Sequence, residues 1–427
     1  MSEWLQCIKC GTRFDAVSIR YTCDCGGLLN VERDNTNVGR ASARLPLQQN
    51  GTSPSRETDS RAEARPTFLF DSRRASRAAI DQSGVWRFRE FVMDVATDAI
   101  ITHPEGSTRL YQRNGIFFKH EGENPTGSFK DRGMTVAITQ ARRVGARAVA
   151  CASTGNTSAS LAAYAAQAGM RAIVFMPSGK VSGGKIAQTL AYGATALQVR
   201  GDFDAAMQLV RESCDKLGIY LVNSINPFRI EGQKTIVWEL LQDLEWNAPD
   251  WIVVPAGNLG NTSAFGKALR EAHASGWIAT MPRLASIQAS GANPFFRSYG
   301  EAFARRHKVA AETIASAIRI GDPVSHDKAV DAIRSTNGIV EEVTDQELMA
   351  AKREIDEMGI GCEPASATTL AGVTKLRATN VMKSDERIVC VLTGHVLKDS
   401  DAALANVPKE RVIEIDATIS AVERALR

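Results

Sequence analysis

Between residues 148 and 222 the chain alternates short apolar runs with longer stretches whose apolar residues recur every three or four positions. The runs at 148–152, 172–176, 195–199 and 220–222 read as strands. The stretches at 158–168, 186–192 and 203–217 read as helices, stopped by Gly169, Gly193 and Gly218 in turn. The pattern resumes with strands at 251–254 and 284–287, a helix at 262–273 and a late, wholly apolar strand at 388–392. Apolar runs of four or five residues separated by helices of ten or more predict parallel strands covered by helices on both faces. That is a doubly wound α/β architecture, whose ligands sit at the carboxyl ends of the strands.

The first sixty-odd residues break this pattern. Residues 1–33 hold two cysteine pairs, turn glycines at Gly11, Gly26 and Gly27, and little apolar mass. Residues 34–66 are rich in Arg, Ser, Thr, Asn and Gln, with Pro46, Pro54 and Pro66; their only large apolar residues are Val38, Leu45 and Leu47. Such a stretch buries too little surface to offset ordering entropy and reads as a flexible linker. From residue 67 to 427 the chain reads as one folded body, with a smaller α/β subdomain inserted at 134–222. The body's core lies beyond the linker, so we expect it to fold without the N-terminal unit.

Composition narrows the class. Of 427 residues, 44% are hydrophobic and 23% charged, the balance of a soluble globular protein. Lys and Arg number 51 against 48 Asp and Glu, too even for a chain that coats nucleic acid. No apolar run approaches the roughly 20 residues that span a bilayer. Met1-Ser2-Glu3-Trp4 lacks the basic and apolar regions of a secretory signal. A cytoplasmic protein without nucleic-acid or membrane partners is expected.

Three loops carry candidate chemistry. Cys151-Ala152-Ser153-Thr154-Gly155-Asn156-Thr157 joins a strand to a helix and offers hydroxyls, an amide and backbone N–H groups. That set suits a carboxylate or other anion; it equally suits N-capping by Asn156 and Thr157. Pro255-Ala256-Gly257-Asn258-Leu259-Gly260-Asn261-Thr262 opens another helix, and its two glycines and helix N-terminus suit a phosphate. It is neither the dinucleotide fingerprint nor the nucleotide-triphosphate loop, and a Gly-Asn turn alone needs no ligand. In Glu121-Gly122-Glu123-Asn124-Pro125-Thr126-Gly127-Ser128-Phe129-Lys130-Asp131-Arg132-Gly133, Lys130 is flanked by Gly, Ser and Phe rather than by solvated charges. A partly desolvated lysine can act as nucleophile and base, although most lysines are surface residues.

Taken in order, these three loops resemble the fold type II pyridoxal-phosphate enzymes, which include tryptophan synthase β-like proteins. Further stretches resemble the threonine synthase family: Asn223-Ser224-Ile225-Asn226-Pro227-Phe228-Arg229 with Glu231-Gly232-Gln233-Lys234-Thr235, then Cys362-Glu363-Pro364-Ala365-Ser366-Ala367, then Leu392-Thr393-Gly394-His395 followed by Leu397-Lys398-Asp399. The resemblance runs over residues 84–400 and implies two doubly wound open-sheet domains.

The resemblance also implies roles. Lys130 would hold pyridoxal phosphate as a Schiff base and serve as the catalytic base. Gly257, Asn258, Leu259, Gly260 and Asn261 would bind the cofactor's phosphate, Asn156 its phenolic oxygen, and Thr393 would face its ring nitrogen, so that no carboxylate holds that nitrogen protonated. Ser153, Thr154 and Thr157 would meet the substrate's carboxylate or phosphate, while Asn223, Ser224 and Arg229 would hold the substrate phosphate. A planar guanidinium suits phosphate independently of the likeness. The implied reaction, the last step of threonine formation, turns O-phospho-L-homoserine and water into L-threonine and phosphate, and we expect a homodimer. Cysteate synthase and threonine or serine dehydratase are the neighbouring alternatives; a zinc-ribbon nucleic-acid binder or scaffold with an inactive body is the distant one. Two departures stand out. Gly106-Ser107-Thr108-Arg109-Leu110 has Ser and Arg where relatives read Asn and Pro, which is expected to alter a wall of the site, and Val396 replaces the usual Gly after His395.

Cys7, Cys10, Cys23 and Cys25 read Cys-x-x-Cys, twelve residues, then Cys-x-Cys-Gly-Gly. Four thiolates at short spacing with turn glycines suit a tetrahedral structural zinc in a ribbon-like unit. Cys151, Cys214, Cys362 and Cys390 sit in apolar contexts and read as buried small residues. No two histidines stand at metal-ligand spacing, and His120 and His395 fall within the motifs.

Overall fold

The computed structural model describes residues 2–34, 67–178, 183–200, 203–407 and 411–426, with backbone alone at 183–185 and 203–207. Apart from Asp34, the expected linker lies outside the described residues.

Three sheets organise the chain. The N-terminal one is antiparallel, ordered β2-β1-β3, with β1 (Glu3–Cys7), β2 (Arg13–Asp15) and β3 (Leu29–Arg33). Its inward residues Leu5, Cys7, Leu29 and Val31 alternate along β1 and β3, as a half-buried strand requires. The second sheet is ordered β12-β11-β10-β13-β5-β4, with β4 (Leu110–Arg113), β5 (Ile116–His120), β10 (Trp251–Pro255), β11 (Arg283–Ala289), β12 (Ile339–Val343) and β13 (Ile388–Leu392). The third runs β8-β7-β6-β9, with β6 (Ala148–Ala152), β7 (Arg171–Pro177), β8 (Thr195–Val199) and β9 (Tyr220–Leu221), and is parallel throughout.

The expected parallel sheets are therefore present, with one correction. The larger sheet is mixed, because β4 and β5 form an antiparallel hairpin at its edge. Asn114 and Gly115 make its two-residue turn with φ of 50° and 75°, the conformation that Asn-Gly turns adopt between twisted strands. The central strands β10 and β13 are buried at every position, which explains their unbroken apolar sequence.

Five helices border the carboxyl ends of these strands: α1 (Lys130–Arg143), α2 (Asn156–Gln167), α3 (Pro227–Gln233), α4 (Gly260–Ala274) and α5 (Pro364–Ala378). The segment before α1 docks on the end of β13: Phe129 N–H donates to the Thr393 carbonyl at 3.0 Å and His395 N–H to the Gly127 carbonyl at 2.9 Å. This pairing carries Lys130 to the strand ends.

The N-terminal sheet is not a separate body. Leu5, Cys7, Leu29 and Val31 share one apolar cluster with Phe228 and Ile230 of α3. The expectation of a body whose core excludes this unit is corrected accordingly.

Candidate active site

Lys130 opens α1 after a turn at Gly127, whose φ of 83° needs glycine. Asp131 ties that turn to the helix, accepting from Thr126 N–H at 2.7 Å and Thr126 Oγ1 at 2.6 Å. The Lys130 ammonium lies 4.1 Å from the centroid of the Phe129 ring. Its pKa is pushed down to about 7, first by lost hydration and then by the charge of Arg229, with Glu363 opposing. A lysine at that value is about half free amine at neutral pH, which keeps both the nucleophile or base and its protonated form available.

Arg229 sits on α3, 2% exposed. The other buried arginines have carboxylate partners: Arg73 pairs with Glu90, Arg87 with Glu239, and Arg132 with Glu121 and Glu239. Arg229 has none among the described residues. Its Nη1 donates to the Val222 carbonyl at 3.2 Å and its Nε is buried without a partner. Burial pushes its pKa down to about 10. A buried guanidinium without a counter-charge is costly, and an anionic ligand relieves that cost.

The loop at Gly257 to Asn261 begins α4 from the end of β10. Leu259 holds φ at 63°, a left-handed value that strains a branched side chain. A β-carbon on Gly257 would lie 3.0 Å from Ile318 Cα. Asn258 is engaged by the protein, its carbonyl by Ser325 N–H and its side chain by Val324 N–H, each at 3.2 Å. Asn261 Oδ1 accepts from Gln233 at 2.6 Å. These contacts use oxygens alone, so the donors that face an anion here are the first-turn backbone N–H groups of α4 and the side-chain amides of Asn258 and Asn261.

Across from this loop, Asn156 Nδ2 donates to Glu363 Oε2 at 2.8 Å, and Thr393 Oγ1 to Glu363 Oε1 at 3.0 Å. Ser366 Oγ lies 2.9 Å from Thr393 Oγ1 and accepts the N–H groups of Thr393 and Gly394. Burial raises the Glu363 pKa against the pull of these donors and of Lys130. Glu363 and Ser366 stand in a sequence motif that marks the family but were given no role of their own. A carboxylate directly before the proline that opens α5 was the available signal.

Ser153, Thr154 and Thr157 are half-buried around the start of α2. Ser224 is likewise half-buried, after β9. Asn223 has its amide against the backbone of Ala152, accepting at 3.0 Å and donating at 3.1 Å, so it braces the end of β6. At the departures, Ser107 and Arg109 are exposed, and the N–H groups of Ser107 and Thr108 run to Glu239. Val396 fills space against Gly361, whose added β-carbon would meet its Cβ at 3.3 Å.

Away from these strand ends, the sulfurs of Cys7, Cys10, Cys23 and Cys25 all lie within 4.8 Å of one another. The pairs Cys7–Cys25 and Cys10–Cys23 are 3.5 Å apart. A β-carbon on Gly27 would sit 2.5 Å from Cys7 Sγ, so only glycine fits beside the cluster. The remaining four cysteines are buried and free, as their apolar contexts imply.

Residues 99–394 match the model of the pyridoxal-phosphate-dependent enzyme family. The chain is 42% identical to the threonine synthase of Methanocaldococcus jannaschii, over 99% of both chains. It is 41% identical to the threonine synthase of Methanosarcina acetivorans, over 99% of this chain and 98% of that one. The solved threonine synthase of Escherichia coli superposes with a TM-score of 0.68 over 99% of this chain and 94% of that one; at 18% identity it bears on the fold alone. The chain belongs to the threonine synthase family of pyridoxal-phosphate-dependent enzymes.

Proposed function

We propose that this site converts O-phospho-L-homoserine and water into L-threonine and phosphate. The observation that carries the reading is Arg229, a buried guanidinium without a carboxylate partner among the described residues, close enough to Lys130 to depress its pKa. Pyridoxal phosphate fits the residues present. Lys130 would hold it, with the first-turn N–H groups of the Gly257 to Asn261 loop at its phosphate, Asn156 at its phenolic oxygen and Thr393 at its ring nitrogen. Bound there, the cofactor supplies an electron sink next to the substrate's amino group.

The chain's own residues do the rest. Lys130 takes a proton from Cα and then from Cβ, and it returns one proton to Cγ after the phosphate leaves and one to Cα after the water adds. Arg229 and the Ser224 hydroxyl hold the γ-phosphate, so its charge is paired before the Cγ–O bond breaks. Ser153, Thr154 and Thr157 hold the carboxylate at the N-terminus of α2. The released phosphate, kept by Arg229, takes a proton from the water that adds at Cβ. Side-by-side assays with phosphohomoserine, phosphoserine plus sulfite, and L-threonine test the assignment: turnover of the first is expected, and preference for either of the others would move the chain to a cysteate synthase or a dehydratase.

The four N-terminal sulfurs fit a structural zinc, since zinc–sulfur bonds of about 2.3 Å in a tetrahedron separate sulfurs by about 3.8 Å. We also propose a cytoplasmic homodimer. Exposed apolar residues of the C-terminal segment, Leu404, Val412, Ile419 and Leu426, supply surface for such an interface.

A further inference from the structure

The N-terminal unit meets the segment around Arg229 through Arg33 and Tyr21. Arg33, at the end of β3, has a side chain only 4% exposed and donates from Nη1 to Glu231 at 2.6 Å and to the Phe91 carbonyl at 3.0 Å. Its Nη2 donates to the Val92 carbonyl, and its Nε donates to Glu3 at 2.8 Å. Glu231 is wholly buried, two residues from Arg229 on the same short helix, and also accepts from Lys234 and Lys267 at 2.6 Å. Lys267 in turn donates to the Val31 carbonyl of β3.

The second contact is at the other end of the same segment. Tyr21 Oη accepts the Leu221 N–H at 2.8 Å, and its ring meets Tyr220 edge-on at 5.9 Å. Leu221 ends β9, and the next residue, Val222, offers the carbonyl that holds Arg229 Nη1. The strand end before Arg229 and the helix turn after it are therefore both gripped by the cysteine-bearing unit. Neither Tyr21 nor Arg33 lies near Lys130 in the bonding network.

We propose that Arg33 and Tyr21 are positioning residues for Arg229, so that the N-terminal unit sets the affinity for the substrate's phosphate. This rests on the reading of Arg229 as the phosphate anchor. A buried ion pair fixes geometry more than it adds stability, and Arg229 has no carboxylate of its own to hold its angle. Removing Arg33 leaves Glu231 with its two lysines and the Lys267 link to Val31, but takes away the direct ion pair between β3 and α3.

The test uses full-length holoenzyme. Arg33→Met is expected to raise KM for O-phospho-L-homoserine roughly tenfold while kcat stays within about threefold. Arg33→Lys recovers part of the loss, since an ammonium keeps the charge without the fork. Tyr21→Phe, which deletes one oxygen, raises KM by a smaller factor. Affinity for L-threonine, which lacks the phosphate, is read from cofactor absorbance and stays at the wild-type value. An unmoved KM in Arg33→Lys and Tyr21→Phe overturns the inference, as does a proportional loss of L-threonine affinity, and these two variants carry the test if Arg33→Met does not fold. Wild-type protein that releases no phosphate strikes the functional reading, whereas active wild type with unmoved variants strikes this inference alone.

Discussion

Gly133 and Gly232 face each other where α1, which begins at Lys130, crosses α3, which carries Arg229. A β-carbon on Gly232 would lie 1.7 Å from the Arg132 carbonyl oxygen and 2.9 Å from Gly133 Cα; one on Gly133 would lie 3.0 Å from the Arg229 carbonyl oxygen. The close crossing is what puts the amine and the guanidinium in one site. Backbone cannot yield as a side chain can, so Gly232→Ala is expected to cost about 3 kcal/mol. Chemical denaturation against wild type measures it, and a loss under about 1 kcal/mol would show that the helices part easily.

The depressed Lys130 gives a pH signature. Its amine is protonated below about 7 and neutral above, and only the neutral form attacks the cofactor's carbonyl. Cofactor loading of the apoprotein, followed by absorbance, is therefore expected to speed up as pH rises through about 7 and then level off. In Arg229→Ala the repelling charge is gone, and the midpoint moves upward. A wild-type midpoint near 10.5, the ordinary lysine value, would contradict this.

Glu363 places a carboxylate one hydrogen bond behind Thr393, which the sequence reading had left without one. Glu363→Gln keeps the shape but puts an amide in place of the carboxyl that accepts from Asn156 and Thr393. Turnover is expected to fall by roughly ten- to a hundredfold with the cofactor retained. Wild-type kcat in this variant would reduce Glu363 to a strut.

Legibility followed locality. The loops around Asn156 and Gly257 were readable only from their order with the Lys130 motif, because Gly, Asn, Ser and Thr at a strand-to-helix junction serve equally as caps and turns. The β4–β5 hairpin carried a local signal too, Asn114-Gly115 between apolar runs, although the pattern of parallel strands gave it no place. Glu363 stood in a motif used only to mark the family, and its partners Asn156 and Thr393 are far off in sequence. The docking of Arg33 on Glu231 had no local signal at all, since both are charged residues of the kind that normally face water.

The cysteine cluster makes the next prediction. Purified protein should carry about one zinc per chain, and Cys7→Ser should lose it. Because Cys7 shares its apolar cluster with Phe228 and Ile230, the main thermal transition should move down with the metal. Elemental analysis and calorimetry check both halves. Zinc-free wild type prepared without chelator would remove the metal, and an unmoved main transition would make the unit independent.

The most direct measurement of the central claim is turnover of O-phospho-L-homoserine in water enriched in oxygen-18. If Arg229 holds a phosphate that leaves by cleavage of the Cγ–O bond, and water then adds at Cβ, each phosphate released accompanies one threonine. The label appears in the threonine hydroxyl and none enters the phosphate. Label in the phosphate would mean that water attacks phosphorus instead, and the site as described would not be the one doing the chemistry.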